Sequence, residues 1–98
     1  MIVARFVVHA RAERSAEVAA ALAAVEAPSR TLPGVLHFDV ARSLTDPDVF
    51  VAVEVFEDRE ALERQEAQDQ VAAVLALVED GALSDDPEWT VWEASTPT

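Results

Sequence analysis

One carboxylate stands inside an otherwise apolar stretch of the chain and is the strongest candidate for chemistry. Glu54 lies within the run 50–56, and the alternation of side chains along a strand places it on the same face as Phe50 and Phe56. A carboxylate among apolar groups loses solvation, which raises its pKa and makes it a usable base near neutral pH. We therefore expect Glu54 to be catalytic, with a structural pairing to an arginine or a backbone group as the alternative.

The other candidate side chains allow both a binding and a structural interpretation. Arg42 could bind a phenolate or a carboxylate in a bidentate manner, or it could be a solvated strand end. His9 and His37 are isolated and lack carboxylates at ligand spacing, so we expect no metal site. Four aromatic residues could line a slot for a flat ring or form an ordinary core. They are Phe6, Phe38, Phe50 and Phe56.

Composition excludes several classes of function. The chain has no cysteine, which removes disulfides, thiolate metal sites and cysteine nucleophiles. Its only glycines are Gly34 and Gly81, so no glycine-rich phosphate loop exists and no nucleotide or flavin cofactor is expected. The net charge of -12 argues against nucleic acid as a partner, because affinity for nucleic acid comes largely from neutralising phosphates.

The expected location is the cytoplasm. A charge of -12 also disfavours anionic membrane surfaces. No apolar run approaches the roughly 20 residues of a membrane helix. The first ten residues alternate in character and contain Arg5, which is typical of a first strand and not of a signal peptide.

The order of predicted elements is β-α-β-β-α-β, with the second helix broken in two. This order favours an α+β, ferredoxin-like antiparallel sheet with helices on one face. We expect one domain over 1–95 and a frayed tail over 96–98. The first helix should be capped by Ser15 and kinked or ended by Pro28. The other elements are strands at 2–9, about 35–43, about 49–56 and 89–93, and helical segments capped by Asp58 and Asp69 and ended by Gly81.

The third predicted strand is apolar on both faces, which is unusual for a sheet with helices on one side only. If its glutamate-bearing face meets the helices, then Val51, Val53 and Val55 face outward. Burying a valine is worth about 1.5 kcal/mol or more, so a second subunit packed sheet to sheet is expected, with a covering chain tail as the alternative. We assign His37 and Trp89 to the same homodimer interface, while Trp92 would face the other side of its strand.

Several short motifs resemble the antibiotic biosynthesis monooxygenase family, of the dimeric α/β-barrel group. The likeness extends over nearly the whole chain and is most specific between Pro28 and Leu62. The motifs are Pro28-Ser29-Arg30, Pro33-Gly34, Arg42-Ser43-Leu44, Asp46-Pro47, Phe50-Val51 and Glu54-x-Phe56-Glu57-Asp58-Arg59-x-Ala61-Leu62.

The resemblance implies a homodimer with one pocket per subunit, between sheet and helices. Some members of this family oxidise phenolic or quinol-like aromatic molecules with molecular oxygen, using neither metal nor flavin. The resemblance therefore implies a cofactor-independent monooxygenase that binds a small aromatic molecule. A non-catalytic binding or accessory protein of the same fold is one alternative, and an isomerase or lyase using Glu54 is another.

The chain also departs from the family pattern at its functional positions. Family members usually carry Trp at the position of Phe56, and often Tyr at that of Phe38. The broken helix commonly supplies His at the positions of Gln65 and Gln70, which we expect to face the pocket and place the substrate. Haem-degrading relatives need Asn, Trp and His where this chain has Ala4, Phe56 and a glutamine, so haem degradation is not expected.

Overall fold

The computed structural model describes residues 1–95, so the tail expected at 96–98 lies outside the described residues. The four strands form one layer, and the three helices form a second layer. A short 3-10 turn, Ala12–Arg14, leads into the first helix. The elements in chain order are β1 (Ile2–His9), α1 (Ser15–Arg30), β2 (Val35–Arg42), β3 (Val49–Phe56), α2 (Arg59–Glu66), α3 (Asp69–Glu79) and β4 (Glu88–Glu93).

The strands form one antiparallel sheet in the order β2-β3-β1-β4, with the helices on one face. The predicted α+β ferredoxin-like fold is thereby confirmed. We call the face under the helices the inner face and the opposite one the outer face. Among the described residues, no helix has both the length and the apolarity needed to cross a membrane.

The predicted helix boundaries are right in some places and wrong in others. Asp58 caps α2 by accepting a hydrogen bond from the backbone N–H of Ala61 at 2.9 Å. Ser15 and Asp69 are not caps, because each is already the first helical residue of its helix and the preceding residue makes no side-chain cap bond. Pro28 does not end α1 either, since it lies in the last turn and the helix runs on to Arg30.

Strand β3 alternates as the sequence predicts. Phe50, Ala52, Glu54 and Phe56 are buried on the inner face. The intervening valines face outward, and Val53 remains 38% exposed. The burial pattern of β3 therefore confirms the predicted alternation, on which the placement of Glu54 and of the outward valines depends.

Strand β2 departs from the predicted alternation near its start. Val35 pairs with Phe56 and His37 with Val55, which leaves Leu36 as an extra residue in a β-bulge. Strict alternation would place Leu36 on the same face as Phe38, but the bulge turns it outward and leaves it 54% exposed. Val35 takes its place and packs against the inner core.

The two tryptophans of β4 lie on opposite faces, but not in the order we expected. Trp92 pairs through Val3 with Val55, and directly opposed residues share a face, so Trp92 lies on the outer face. Trp89 pairs with Phe6 on the inner face, in register with Ala52. The assignment of Trp89 to the outer face is corrected, because β4 meets β1 in a register that turns Trp92 outward.

Candidate active site

A cavity of about 420 Å³ lies between the inner face of the sheet and the helices. This volume falls in the range of small-molecule sites, which hold a ligand among apolar walls with a few polar groups. The lining is apolar except for two carboxylates and one amide. The lining residues are Phe6, Leu22, Val25, Phe38, Val40, Ala52, Glu54, Gln65, Glu66, Val71, Val74, Leu75, Pro87 and Trp89.

Small residues in the floor of the sheet make room for the cavity. Ala52 lies in a cross-strand row between Val40 and Phe6. In the next row Glu54 lies between Phe38 and Ala4. Because directly opposed side chains stand side by side, an alanine next to two larger residues leaves a hollow that α1 and α3 cover from above.

Glu54 is buried in this floor without a partner for one of its carboxylate oxygens. Glu54 as a whole residue is only 4% exposed to solvent. Among residues 1–95, Oε1 of Glu54 is buried and has no hydrogen-bond partner. Burial, and secondarily the negative charge of Glu66, raise the pKa of Glu54 to about 8. A proton on Glu54 is therefore easily lost and regained near neutral pH.

The structural alternative for Glu54 finds little support in the arginines that could have paired with it. Arg5 stands opposite Val53 and so belongs to the outer face. The guanidinium of Arg42 lies over the ring of Phe50, 5.0 Å from its centroid. Arg42 does not line the cavity, so the prediction that it contacts a ligand there is not supported by its placement.

One of the two predicted glutamines reaches the cavity. Gln65 is buried, lines the cavity and donates from Nε2 to Oγ of Ser29 at 3.3 Å. Gln68 donates from Nε2 to the same Ser29 oxygen at 2.9 Å and to the carbonyl of Gln65 at 3.2 Å. Gln70 is exposed and outside the lining, because the break between α2 and α3 turns it towards solvent.

Two of the four phenylalanines line the cavity and two do not. Phe6 and Phe38 contribute to the lining. Phe50 and Phe56 stand at the two ends of β3 and are absorbed into core clusters, which corrects their assignment as ligand contacts. Phe56 is 0% exposed and packs beneath α2, beside the cavity and outside its lining.

Sequence reasoning missed most of the lining, including its tryptophan and its second carboxylate. Trp89 packs edge-to-face on Phe6, with ring centroids 6.0 Å apart and planes at 70°. Its place follows from the register between β4 and β1, which the sequence of β4 does not specify. Nothing in the sequence distinguishes Glu66, at the end of α2, from the other acidic residues of that helix.

The histidines lie away from the cavity. His37 pairs with Val55 on the outer face, and Nε2 of His9 is 3.6 Å from a carboxylate oxygen of Glu88. Within residues 1–95, no group of three or more potential metal-binding side chains comes together.

Known structures share this fold. A proposed antibiotic biosynthesis monooxygenase from Deinococcus radiodurans has a TM-score of 0.88 and 21% sequence identity, and the match covers 100% of this chain and 96% of that one. A second, from Nitrosomonas europaea, has a TM-score of 0.86 and 18% identity, covering 96% and 98%. A Mycobacterium tuberculosis protein has a TM-score of 0.86 and 20% identity, covering 98% and 96%. Among curated proteins, none matches this sequence.

The family model of antibiotic biosynthesis monooxygenases matches residues 1–78, which is most of the chain. The matched segment includes every strand and helix that lines the cavity except the last strand. The chain therefore belongs to the antibiotic biosynthesis monooxygenase family.

Proposed function

We propose that this protein is a cofactor-independent monooxygenase of small phenolic or quinol-like aromatic molecules. The observation that carries the proposal is the buried carboxyl of Glu54, with an unpartnered oxygen, in the floor of an apolar cavity. Family membership supports monooxygenase chemistry. The aromatic walls, Phe6, Phe38 and Trp89, suit a flat ring.

Glu54 would act as the general base. With a pKa of about 8, a minority of the protein, about one molecule in ten, carries the ionised form at pH 7. The carboxylate takes a proton from a phenol or an activated methylene, and the negative charge moves from Glu54 to the substrate. Burial makes Glu54 a stronger base than a solvated carboxylate, which favours the transfer. The aromatic substrate itself must delocalise the resulting charge, because the described lining supplies no cation.

The substrate anion supplies the electrons that reduce oxygen. For an activated methylene, a carbon–oxygen bond forms to O2, and loss of water from the resulting hydroperoxide gives a carbonyl. One oxygen atom stays on carbon, and the other leaves as water with the two methylene hydrogens. The substrate thus supplies all four electrons, and Glu54 only receives and returns a proton.

The outer face supports a homodimer as the working unit. Val3, Val51, Val53 and Val55 form an apolar strip there, extended by Trp92. Packing this strip against a second copy would remove partly exposed valines from water, which is favourable by roughly 25 cal/mol per Å² of apolar surface.

A non-catalytic binding protein is the second candidate. The observation that favours it is the lining itself, in which Glu54 is the only buried group able to move a proton among the described residues. Nε2 of Gln65 is already engaged with Ser29. An amide can hold a substrate oxygen but cannot exchange protons with it.

Oxygen uptake separates the candidates. Uptake would be measured with a panel of anthrones and hydroquinones for the wild type, Glu54→Gln and Glu63→Gln, the last removing an exposed α2 carboxylate outside the cavity. The monooxygenase proposal expects uptake that Glu54→Gln abolishes and Glu63→Gln retains. Tight binding without turnover supports the binding protein. Product formed without oxygen supports an isomerase or lyase that uses Glu54.

A further inference from the structure

The cavity carries charge of one sign only. Glu54 and Glu66 are its only ionisable lining residues within the described part of the chain. The two residues belong to different elements, since Glu54 lies in β3 and Glu66 at the end of α2. The lining contributions of β1, β2, β4, α1 and α3 are all uncharged.

The nearby arginines are engaged elsewhere. Arg30 donates from Nε to the backbone carbonyl of Phe38 at 2.9 Å, and its other nitrogen pairs with Glu26. Arg64 donates to the carbonyl of Pro33. The side chain of Arg42 lies over Phe50 and outside the cavity. An anionic ligand in this cavity would therefore meet two carboxylates without a compensating cation.

The unpartnered oxygen of Glu54 is available to a ligand. It is buried, and the ionised side chain can only accept hydrogen bonds, while the protonated side chain can also donate one. Phe6 and Trp89 line the same cavity as an edge-to-face pair, and aromatic faces attract a positively charged group. A ligand that brings a donor group on an apolar ring body would satisfy all these features together.

We propose that the cavity selects its ligand by charge, taking an apolar ring compound that carries an ammonium or a neutral donor group and excluding carboxylates and sulfonates. The donor group would meet Glu54 in the floor, and Glu66 at the mouth would repel anions. This inference rests on the proposed function only in using the same cavity, and it concerns binding alone.

The two accepted ligand types differ in how they exchange protons. An ammonium stabilises the ionised form of Glu54, so its binding near pH 7 releases about one proton per complex. A neutral hydroxyl leaves Glu54 protonated and releases none. Glu66 is the only other titratable group in the described lining. Its negative charge raises the pKa of Glu54, so removing that charge should lower this pKa.

Titration calorimetry with three ligands of one ring system tests the proposal. Tryptamine, indole-3-ethanol and indole-3-acetate differ mainly in a cationic, neutral or anionic end. At pH 7 we expect tryptamine to bind at least as well as the alcohol and about tenfold or more tighter than the acetate. Repeating each titration in two buffers of different ionisation heat reports the released proton.

Variants of the two carboxylates locate the selectivity. Glu54→Gln should abolish proton release with tryptamine and weaken its binding. Glu66→Gln should narrow the gap between tryptamine and the acetate. Glu63→Gln removes an exposed carboxylate of the same helix outside the cavity and should leave the order unchanged.

The proposal is overturned if the acetate binds as tightly as tryptamine, if Glu54→Gln leaves proton release intact, or if all three ligands bind more weakly than about 1 mM. Its outcome is independent of turnover. If the expected charge order is observed but no oxygen is consumed, only the monooxygenase proposal fails. If anionic substrates bind tightly and are consumed with oxygen uptake, only the charge-selectivity proposal fails.

Discussion

The two faces of strand β3 are both apolar, yet only one is covered by the chain itself. On the inner face Phe56 is fully buried beneath α2, and the row containing Glu54 opens into the cavity. On the outer face the valines stand partly exposed, with Val53 at 38%. The inner face of β3 is thus closed by helices except at the cavity, and its outer face is apolar without a cover among residues 1–95.

The comparison teaches that alternation alone assigns residues to faces but does not give the faces their roles. Glu54 and Val53 are neighbours in sequence and experience opposite surroundings. The same apolar composition lines a cavity where small residues thin the floor, and leaves an uncovered apolar strip, our proposed dimer contact, where the outward residues of β3 are all valines. Four changes test this contrast.

The largest effect is expected from truncating the core side chain that packs between β3 and α2. Phe56→Ala removes a fully buried ring and should lower the free energy of unfolding by about 3–5 kcal/mol. Val53→Ala on the other face should cost about 1 kcal/mol or less in the isolated subunit. Urea denaturation at several protein concentrations measures both losses. Equal losses at low concentration would erase the distinction between the two faces.

The next largest effect concerns pH. The pKa of Glu54 is raised from 4.5 to about 8 by folding, so the folded state holds this proton more tightly than the unfolded state does. The contribution of Glu54 to the free energy of unfolding is therefore fully present below pH 4.5 and is lost as the pH rises towards 8. Glu54→Gln stays neutral and should escape this loss.

The advantage of Glu54→Gln over the wild type should therefore grow by about 3–4 kcal/mol between pH 4.5 and pH 8.5. Parallel urea denaturation series across this range measure the difference, and Glu63→Gln is the matched exposed control. A difference that stays constant with pH would show that Glu54 is solvated and not held in an apolar floor.

The outer face can be tested by placing a charge in its valine strip. Val55→Asp sits between Val3 and His37 in the sheet and should raise the dimer dissociation constant about tenfold or more, because an unpaired carboxylate would be buried. Val55→Thr keeps the branched shape without the charge and serves as the control. Analytical ultracentrifugation gives the dissociation constants. A monomeric wild type at high concentration would refute the proposed dimer.

The smallest effect is expected at the support of the glutamine in the cavity wall. Ser29→Ala removes the oxygen that accepts hydrogen bonds from Gln65 and Gln68, at a cost of about 1 kcal/mol. Thermal unfolding measures this cost. Ser15→Ala, which removes a hydroxyl with only a 3.4 Å contact to a carbonyl, should cost less. If the two losses are equal, the buried network has no special role.

The strand pattern and the site glutamate could be predicted from the sequence because strict alternation in β3 leaves no other register. The exposure of Leu36 could not, since Pro33-Gly34 indicates only the turn before β2, and the sequence does not show that a β-bulge follows it. Gln65 was placed correctly and Gln70 was not, because the break between α2 and α3 resets the helical phase by an amount that the sequence does not specify.

The tryptophans show the same limit at the end of the chain. Their opposite directions follow from alternation, but which one faces the helices depends on the register between β4 and β1. The short pattern of β4 itself fits either face, so the sequence does not specify this register.

The proposals for this cavity all depend on Glu54 being a desolvated carboxyl in its floor. The most direct measurement is an NMR titration that follows the side-chain carboxyl carbon of ¹³C-labelled Glu54, assigned with Glu54→Gln. The account predicts a midpoint near pH 8 in the free protein, lowered when tryptamine is added. A midpoint near 4.5, unchanged by the ligand, would contradict it.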